Sequence, residues 1–266
     1  MLSLRILTAS VLILGAVLGI FYLPLGAFNV IVAAMMLMGA WELAEMFWAN
    51  NLKKQLVFLA VILLVTVLAF RYFALWGISC GSVWWLCVPM ILARYTKKMG
   101  KLFFGTLSRY SIGILVFVPF FLAMSLLQEQ FGPKYLLYIL VLVWANDIGA
   151  YFAGTFCGKT LLAPAISPKK TWEGVFGGLV LGLMVIICGG FLLNIHGIRW
   201  FLWIALNIVI SLWSVIGDLF ESMLKRLAQV KDSGSLLPGH GGIFDRIDSL
   251  TAAVPLFVLA VIICGF

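Results

Sequence analysis

Residues 217–248, GDLFESMLKRLAQVKDSGSLLPGHGGIFDRID, form a polar stretch in an otherwise apolar chain. The stretch holds five of the ten acidic residues, four Lys or Arg residues and one of the two histidines. A segment that only crosses a membrane has no use for such a cluster, because charged side chains are costly in the hydrocarbon core. The stretch therefore indicates a site for metal ions and phosphate, set between hydrophobic segments.

Hydrophobic segments occupy most of the remaining chain. The 266 residues are 64% hydrophobic and 11% charged, which is too apolar for a soluble domain. Apolar runs of about 17–25 residues cross a bilayer as helices, so we predict an all-α, polytopic integral membrane protein with about nine transmembrane helices. The expected segments are 5–24, 26–47, 55–73, 76–93, 111–127, 135–155, 174–194, 198–216 and 250–266.

The chain is expected to divide into N-terminal transmembrane helices (1–134) and a C-terminal catalytic transmembrane region (135–266). The segment 5–24 is interpreted as a retained helix, because no small-residue cleavage site follows it.

The positive charges indicate which way the chain crosses the membrane. With a cytoplasmic N-terminus, all of the 18 Lys and Arg residues except Arg71, Lys134 and Arg199 fall on the cytoplasmic side. Positive charge concentrates there in membrane proteins, so the polar stretch is expected to face the cytoplasm from the inner (cytoplasmic) membrane. This bias explains the net charge of +8 without a nucleic-acid partner.

Two pairs of carboxylates lie at the two ends of the polar stretch. Asp218 and Glu221 are spaced i, i+3, as are Asp245 and Asp248, so each pair shares a helix face if the helix extends that far. Asp218 and the second pair are expected to converge across the loop. Oxygen ligands of this kind suit Mg²⁺, which shares them with substrate phosphates.

The loop between these pairs is rich in glycine. Three of the five residues at 238–242 are Gly, and such a loop lets backbone N–H groups approach an anion. His240 within it is a candidate general base or phosphate donor. The alternative for His240 is a hydrogen bond to the backbone.

Three further acidic residues lie within or near hydrophobic segments. Asp147 near the end of 135–155 is a functional candidate, because ionisable groups at that depth are costly; the alternative is an acid at a helix end that reaches water. Glu42 and Glu45 are interpreted as acids at headgroup level rather than as an ion site, since Trp41 and Trp48 mark an interface there.

The segment 167–174, SPKKTWEG, combines a helix start with positive charge. Ser167 and Pro168 are expected to begin a helix with Glu173 in its first turn. Helix N-termini attract phosphate, and Lys169 and Lys170 add formal charge. The alternative is a capped helix after a basic loop. The preceding GTFCGKT at 154–160 is one residue too short between its glycines for a P-loop.

These residues carry a resemblance to a known family. The pattern S-x-L-K-R at 222–226, followed by K-D-x-G-x-x-L-P-x-H-G-G-I-x-D-R-I-D at 231–248, resembles the signature of phosphatidate cytidylyltransferases, also called CDP-diacylglycerol synthases. D-x-x-A-Y-x-x-G at 147–154 and SPKKTWEG at 167–174 are also similar to that family. The resemblance covers roughly 140–266 in motif detail, with the signature motif at 222–248.

The resemblance implies that CTP and phosphatidate react to give CDP-diacylglycerol and pyrophosphate, with Mg²⁺ as cofactor and the number of cations left open. The implied metal ligands are Asp218, Asp245 and Asp248, with Asp147 and Glu173 as weaker candidates. The implied catalytic residues are Lys225, Arg226, Lys231, Asp232, His240 and Arg246. The implied substrate-binding residues are Ser167, Lys169, Lys170, Thr171, Gly241 and Gly242. The implied partners are CTP, phosphatidate, the lipid bilayer and a second copy of the chain in a homodimer.

Two alternatives stay open. A related CTP-dependent enzyme would carry the same site and act on another lipid. A multi-pass transporter would use Asp147, Asp218 and Glu42 as ion sites near the membrane midplane.

Overall fold

The fold is a bundle of apolar helices. The computed structural model describes residues 13–95, 103, 105–234 and 241–266. Its elements in chain order are α1 (Ile13–Tyr22), α2 (Leu25–Phe47), α3 (Leu52–Tyr72), α4 (Ala74–Ala93), α5 (Thr106–Leu126) continued by a π-helical turn (Leu127–Phe131), α6 (Pro133–Cys157), β1 (Leu161–Ala163), β2 (Ser167–Thr171), α7 (Trp172–Leu192), α8 (Arg199–Ala228) and α9 (Phe244–Cys264).

Each of the helices α2 to α9 is long and apolar enough to cross a membrane. This confirms the all-α polytopic class. The expected first segment, 5–24, is described as a helix over Ile13–Tyr22, and its earlier residues lie outside the described part. The boundary between 1–134 and 135–266 stays a prediction, and α9 packs against α2, α4 and α5, so helices from both sides of it share one core.

Helices α5 and α9 lie at the centre of the bundle. Buried residues make up 78% of the apolar stretch of α5 with its π-helical turn and 67% of that of α9, against 28% to 44% for the other membrane-length helices. The outer helices expose large apolar side chains such as Trp76, Phe176 and Phe201. A bilayer accommodates such faces, because lipid chains are as apolar as the side chains themselves.

The segment before α7 differs from the expectation. Residues Ser167–Thr171 form strand β2, which pairs antiparallel with β1 through Leu161 opposite Thr171 and Ala163 opposite Ser167. The expectation that Ser167 and Pro168 begin a helix is therefore wrong. Pro168 is compatible with an edge strand of a two-stranded hairpin, and the helix begins only at Trp172.

Glycines bring neighbouring helices close together. A Cβ on Gly149 of α6 would lie 2.5 Å from the carbonyl oxygen of Gly177 in α7, and a Cβ on Gly177 would overlap the side chain of Ala153. In α8, a Cβ on Gly217 would lie 2.6 Å from the carbonyl oxygen of Asp248 in α9. These contacts fix α6 against α7, and α8 against α9, where their acidic residues lie.

Candidate functional site

Three carboxylates converge where α8 passes α9. Asp218 and Glu221 extend from one face of α8, and Asp248 comes from the second turn of α9. One ligand oxygen from each lies within 4.8 Å of the other two. Glu221 and Asp248 are buried and Asp218 is partly exposed. We call Asp218, Glu221 and Asp248 the acidic group.

Two lysines compensate part of the negative charge. Lys170 Nζ, on the hairpin, lies 2.5 Å from Asp218 Oδ2. Lys225 Nζ, one turn after Glu221, lies 2.5 Å from Glu221 Oε2 and 2.6 Å from Asp245 Oδ1. Because like charges this close repel one another, three carboxylates brought together in this way favour the binding of a cation.

Asp147 lies beside the acidic group. Its carboxylate interacts electrostatically with Asp218 and Asp248, and also with Lys170 and Arg246. The close packing of α6 on α7 thus brings a third helix end to the site. Asp147 therefore lies near the acidic group but is not one of the three carboxylates whose oxygens converge, and its role as a metal ligand stays a prediction.

Glu173 lies in a different environment. Both of its carboxylate oxygens accept hydrogen bonds from the backbone N–H of Thr160, each at 3.1 Å. It lies in the first turn of α7, as expected. Among the described residues it is not part of the acidic group; its contacts instead close the turn that leads into the hairpin.

The structure separates Asp245 from Asp248, although the sequence favoured a shared face. Asp245 Oδ2 accepts hydrogen bonds from the backbone N–H of Ser233 at 3.1 Å and of Gly242 at 3.0 Å, while Oδ1 faces Lys225. Asp245 therefore joins Ser233 and Gly242 to Lys225 on α8, and Glu221 stands in the acidic group where the family resemblance implied Asp245. The i, i+3 spacing of Glu221 from Asp218 was the signal for this role.

Glu42 is buried in the same region, with 1% of its surface exposed. Its Oε1 accepts a hydrogen bond from the N–H of Ile243, and its Oε2 accepts one from the N–H of Phe244, both at 2.8 Å. Glu42 is therefore enclosed by the protein, and its interpretation as an acid at headgroup level stays a prediction. Glu45 is exposed, as that interpretation expects, and accepts a hydrogen bond from the indole of Trp41 at 2.9 Å.

The hairpin packs over the acidic group. Arg226 Nε on α8 donates a hydrogen bond to the carbonyl oxygen of Ile166 at 3.2 Å, and Lys170 forms its ion pair with Asp218. Thr171 is the N-cap of α7, and its hydroxyl accepts a hydrogen bond from the N–H of Gly174 at 3.1 Å. Ser167 is partly exposed and Lys169 is exposed on the same strand.

The remaining candidates lie around the loop that precedes α9. Lys231, Asp232 and Arg246 are exposed at its surface. Gly241 has a positive φ of 78°, a conformation that glycine adopts without strain. The N–H of Gly242 donates to Asp245. His240 lies outside the described residues.

Comparison with known proteins places the chain in a family. Residues 3–264 match the model of the Cytidylyltransferase family. The phosphatidate cytidylyltransferase of Pseudomonas aeruginosa is 35% identical over 260 residues, covering 97% of this chain and 96% of its own length. That of Haemophilus influenzae is 34% identical over 285 residues, with 97% of each chain covered. That of Bacillus subtilis is 37% identical over 185 residues, covering 69% of this chain and 67% of its own.

Proposed function

This chain belongs to the cytidylyltransferase family, and from that premise we propose that it transfers the cytidylyl group of CTP to phosphatidate. The products are CDP-diacylglycerol and pyrophosphate. A phosphate oxygen of phosphatidate forms a bond to the α-phosphorus of CTP, and the bond from that phosphorus to the bridging oxygen of the β-phosphate breaks. The observation that carries the proposal is the acidic group with Lys170 against it, at the end of a membrane helix bundle.

The donor set of the acidic group fits Mg²⁺. All three ligand atoms are carboxylate oxygens, which hard cations prefer. We assign Asp218, Glu221 and Asp248 as the residues that would hold the ion, with Asp147 beside them for a second cation. A bound Mg²⁺ would supply charge stabilisation on the transferring phosphoryl oxygens.

The chain's own cations have different roles in this scheme. Lys170 reaches the site from the hairpin. Its ammonium can leave the carboxylate of Asp218, bind a substrate phosphate instead and orient that phosphate. Lys225 is held between Glu221 and Asp245, with a side chain that is 11% exposed. It therefore keeps those carboxylates in place rather than binding substrate directly. Since phosphoryl transfer asks mainly for positioning and charge stabilisation, both roles contribute to rate.

Exposed polar residues around the site complete the proposed binding surface. Lys231 and Arg246 neutralise the phosphates of CTP, as does Arg226 from beside the hairpin. Asp232 is exposed in the same loop, where it orients a lysine or contacts the nucleotide. Ser167 and Lys169 on β2 extend the phosphate-binding surface from the other side.

The site is proposed to lie in the inner membrane and to face the cytoplasm. Support comes from the distribution of Lys and Arg among the loops. A homodimer is also proposed from the family resemblance, and the mass of the detergent-solubilised protein measured by light scattering tests it. A protein mass equal to one chain would contradict the dimer.

The experiment that tests the function supplies purified protein in detergent with phosphatidate, Mg²⁺ and α-labelled CTP. We expect a labelled lipid that co-migrates with CDP-diacylglycerol, together with released pyrophosphate. Label appearing only on another lipid phosphate would keep the nucleotidyl transfer and change the substrate. A folded sample that transfers label to no lipid, yet takes up solute in proteoliposomes, would replace this function by transport.

A further inference from the structure

We propose that Glu42 is a positioning residue of the active site, acting from the N-terminal half of the chain. Its carboxylate holds the first turn of α9, and with it the placement of Asp245 and Asp248. The proposal rests on the proposed function for its kinetic consequences, although its structural consequence can be measured independently. Glu42 lies outside 222–248 and outside every other motif that the sequence singled out.

Among the described residues, Glu42 forms hydrogen bonds with the first turn of α9 and with Ser233. Its two oxygens accept hydrogen bonds from the N–H groups of Ile243 and Phe244, each at 2.8 Å. The hydroxyl of Ser233 also lies 2.9 Å from Oε2. The first N–H groups of a helix have no partner within the helix. Glu42 therefore supplies the cap that α9 lacks from its own preceding residue, since Ile243 offers no side-chain hydrogen bond.

Two glycines make room for this carboxylate. A Cβ on Gly234 would lie 2.6 Å from Glu42 Oε1. A Cβ on Gly242 would collide with the carboxylate of Glu42 and with the hydroxyl of Ser233. The sequence suggested that glycines of this loop open the backbone to a substrate anion. In the structure, Gly234 and Gly242 admit an anion of the chain itself.

The effect of Glu42 passes to the acidic group through two short links. Ser233, which contacts Glu42, also has its hydroxyl 2.9 Å from Asp245 Oδ2, and Asp245 pairs with Lys225. Lys225 in turn pairs with Glu221. The second link is α9 itself, because Asp248 lies one turn after the N–H groups that Glu42 holds. A shift of that turn would move Asp248 relative to α8.

Charge also favours Glu42 at this position. The N-terminus of a helix carries partial positive charge, and a carboxylate beside it is stabilised. With Glu42 there, the start of α9 is already occupied by an anion. Substrate phosphate must then be bound elsewhere, which agrees with Lys170 and the exposed basic residues as the phosphate ligands.

The test compares Glu42→Gln with Glu45→Gln. Each change removes one carboxylate from α2, but the carboxylate of Glu45 is exposed and accepts a hydrogen bond from the indole of Trp41. Gln keeps the size of Glu while directing an NH₂ group at the N–H donors. We expect Glu42→Gln to lower kcat about 10- to 100-fold, the range for residues that orient metal ligands. We also expect it to raise the Mg²⁺ concentration for half-maximal rate, with KM for CTP changed less than kcat.

The structural readout is hydrogen–deuterium exchange of the peptide 241–248. We expect exchange at Ile243 and Phe244 to be about tenfold faster in Glu42→Gln, because hydrogen bonds to a charged acceptor are lost. Glu45→Gln should match the wild type in exchange, kcat and Mg²⁺ requirement. This readout needs no substrate, so it stands even if the wild type fails to use phosphatidate.

Several results would overturn the inference. Unchanged exchange and unchanged Mg²⁺ requirement in Glu42→Gln would do so. A loss of activity that equals the loss of folded protein, with a normal Mg²⁺ requirement, would reduce Glu42 to a structural residue. If Glu42→Gln does not fold, Ser233→Ala decides, because it removes the hydroxyl that lies between the carboxylates of Glu42 and Asp245; a wild-type Mg²⁺ requirement in this variant would overturn the proposal.

Discussion

Asp218 links the acidic group to the hairpin that packs over it. It belongs to the acidic group, and it also forms the ion pair that holds Lys170 and its hairpin. The hydroxyl of Ser222 lies 3.3 Å from Asp218 Oδ1, so each carboxylate oxygen has a partner. Binding of a cation at Asp218 would weaken its hold on Lys170 and release that ammonium for a phosphate.

Replacing Lys170 tests this exchange. We expect Lys170→Ala to raise KM for CTP or for phosphatidate by about 10- to 100-fold, because a charge-assisted contact contributes about 1.5–3 kcal/mol. Steady-state kinetics with each substrate varied in turn measures the change. Lys53→Ala, an exposed lysine on α3, is the matched control. Wild-type KM values for both substrates in Lys170→Ala would remove Lys170 from the phosphate contacts.

The sequence predicted which side chains belong to the site better than it predicted which groups they contact. Asp218 was expected to converge with Asp245 and Asp248 across the loop, whereas Asp147 was a candidate from its depth in a helix and from the family resemblance. Glu221 had the right spacing, but its burial against Lys225 depends on how α8 meets α9. No local pattern links Glu42 to Ile243, since the contact joins positions some two hundred residues apart.

The close contact between α6 and α7 positions Asp147 and the hairpin at the site. Gly149, Gly177 and Gly178 let the two backbones approach, and this contact carries Asp147 on one helix and the hairpin before the other. Small residues at helix contacts are common in membranes, because van der Waals packing drives association there.

A single added methyl group tests the close approach. We expect Gly149→Ala to destabilise the protein by about 1–3 kcal/mol through overpacking, because the new Cβ would lie 2.5 Å from the carbonyl oxygen of Gly177. The midpoint of thermal unfolding in detergent measures it. Gly26→Ala is the control, since a Cβ on Gly26 meets nothing within 4 Å. Equal midpoints for the two variants would mean that α6 and α7 are not so closely packed.

The elements themselves followed from hydrophobicity except where tertiary contacts decided. Runs of apolar residues located the helices α2 to α9 to within several residues, apart from the end of α8. Helix α8 continues to Ala228 instead of ending near 216, because its polar last turns are packed against α9 and the hairpin. The hairpin was missed since its strands are three and five residues long, and a capping pattern at 167–174 favoured a helix.

For the whole molecule, the orientation in the membrane determines which compartment supplies CTP. The segments that carry Lys53, Lys170 and Lys231 are proposed to face the cytoplasm, whereas Lys134 follows the π-helical turn at the end of α5. The excess of positive charge on the first set predicts this orientation.

Cysteine labelling in intact cells tests the orientation. In a background without the five native cysteines, we expect Lys134→Cys to react with a membrane-impermeant maleimide. Lys231→Cys should react only after the membrane is permeabilised. The labelled fraction of each variant, before and after permeabilisation, is the measurement. The reverse pattern would place the site on the outer face and would separate it from cytoplasmic CTP.

The central claim is that cytidylyl transfer depends on the acidic group. The turnover rate of the Asp218→Asn protein tests this claim most directly. The variant keeps the shape of the side chain and removes its charge, so we expect unfolding at the wild-type temperature within a few degrees. Its kcat should fall by about 100-fold or more, because several kcal/mol of charge stabilisation is lost. Glu129→Gln, an exposed acid far from the site in sequence, should keep the wild-type rate. A folded Asp218→Asn protein with a wild-type kcat at ordinary Mg²⁺ would contradict the account.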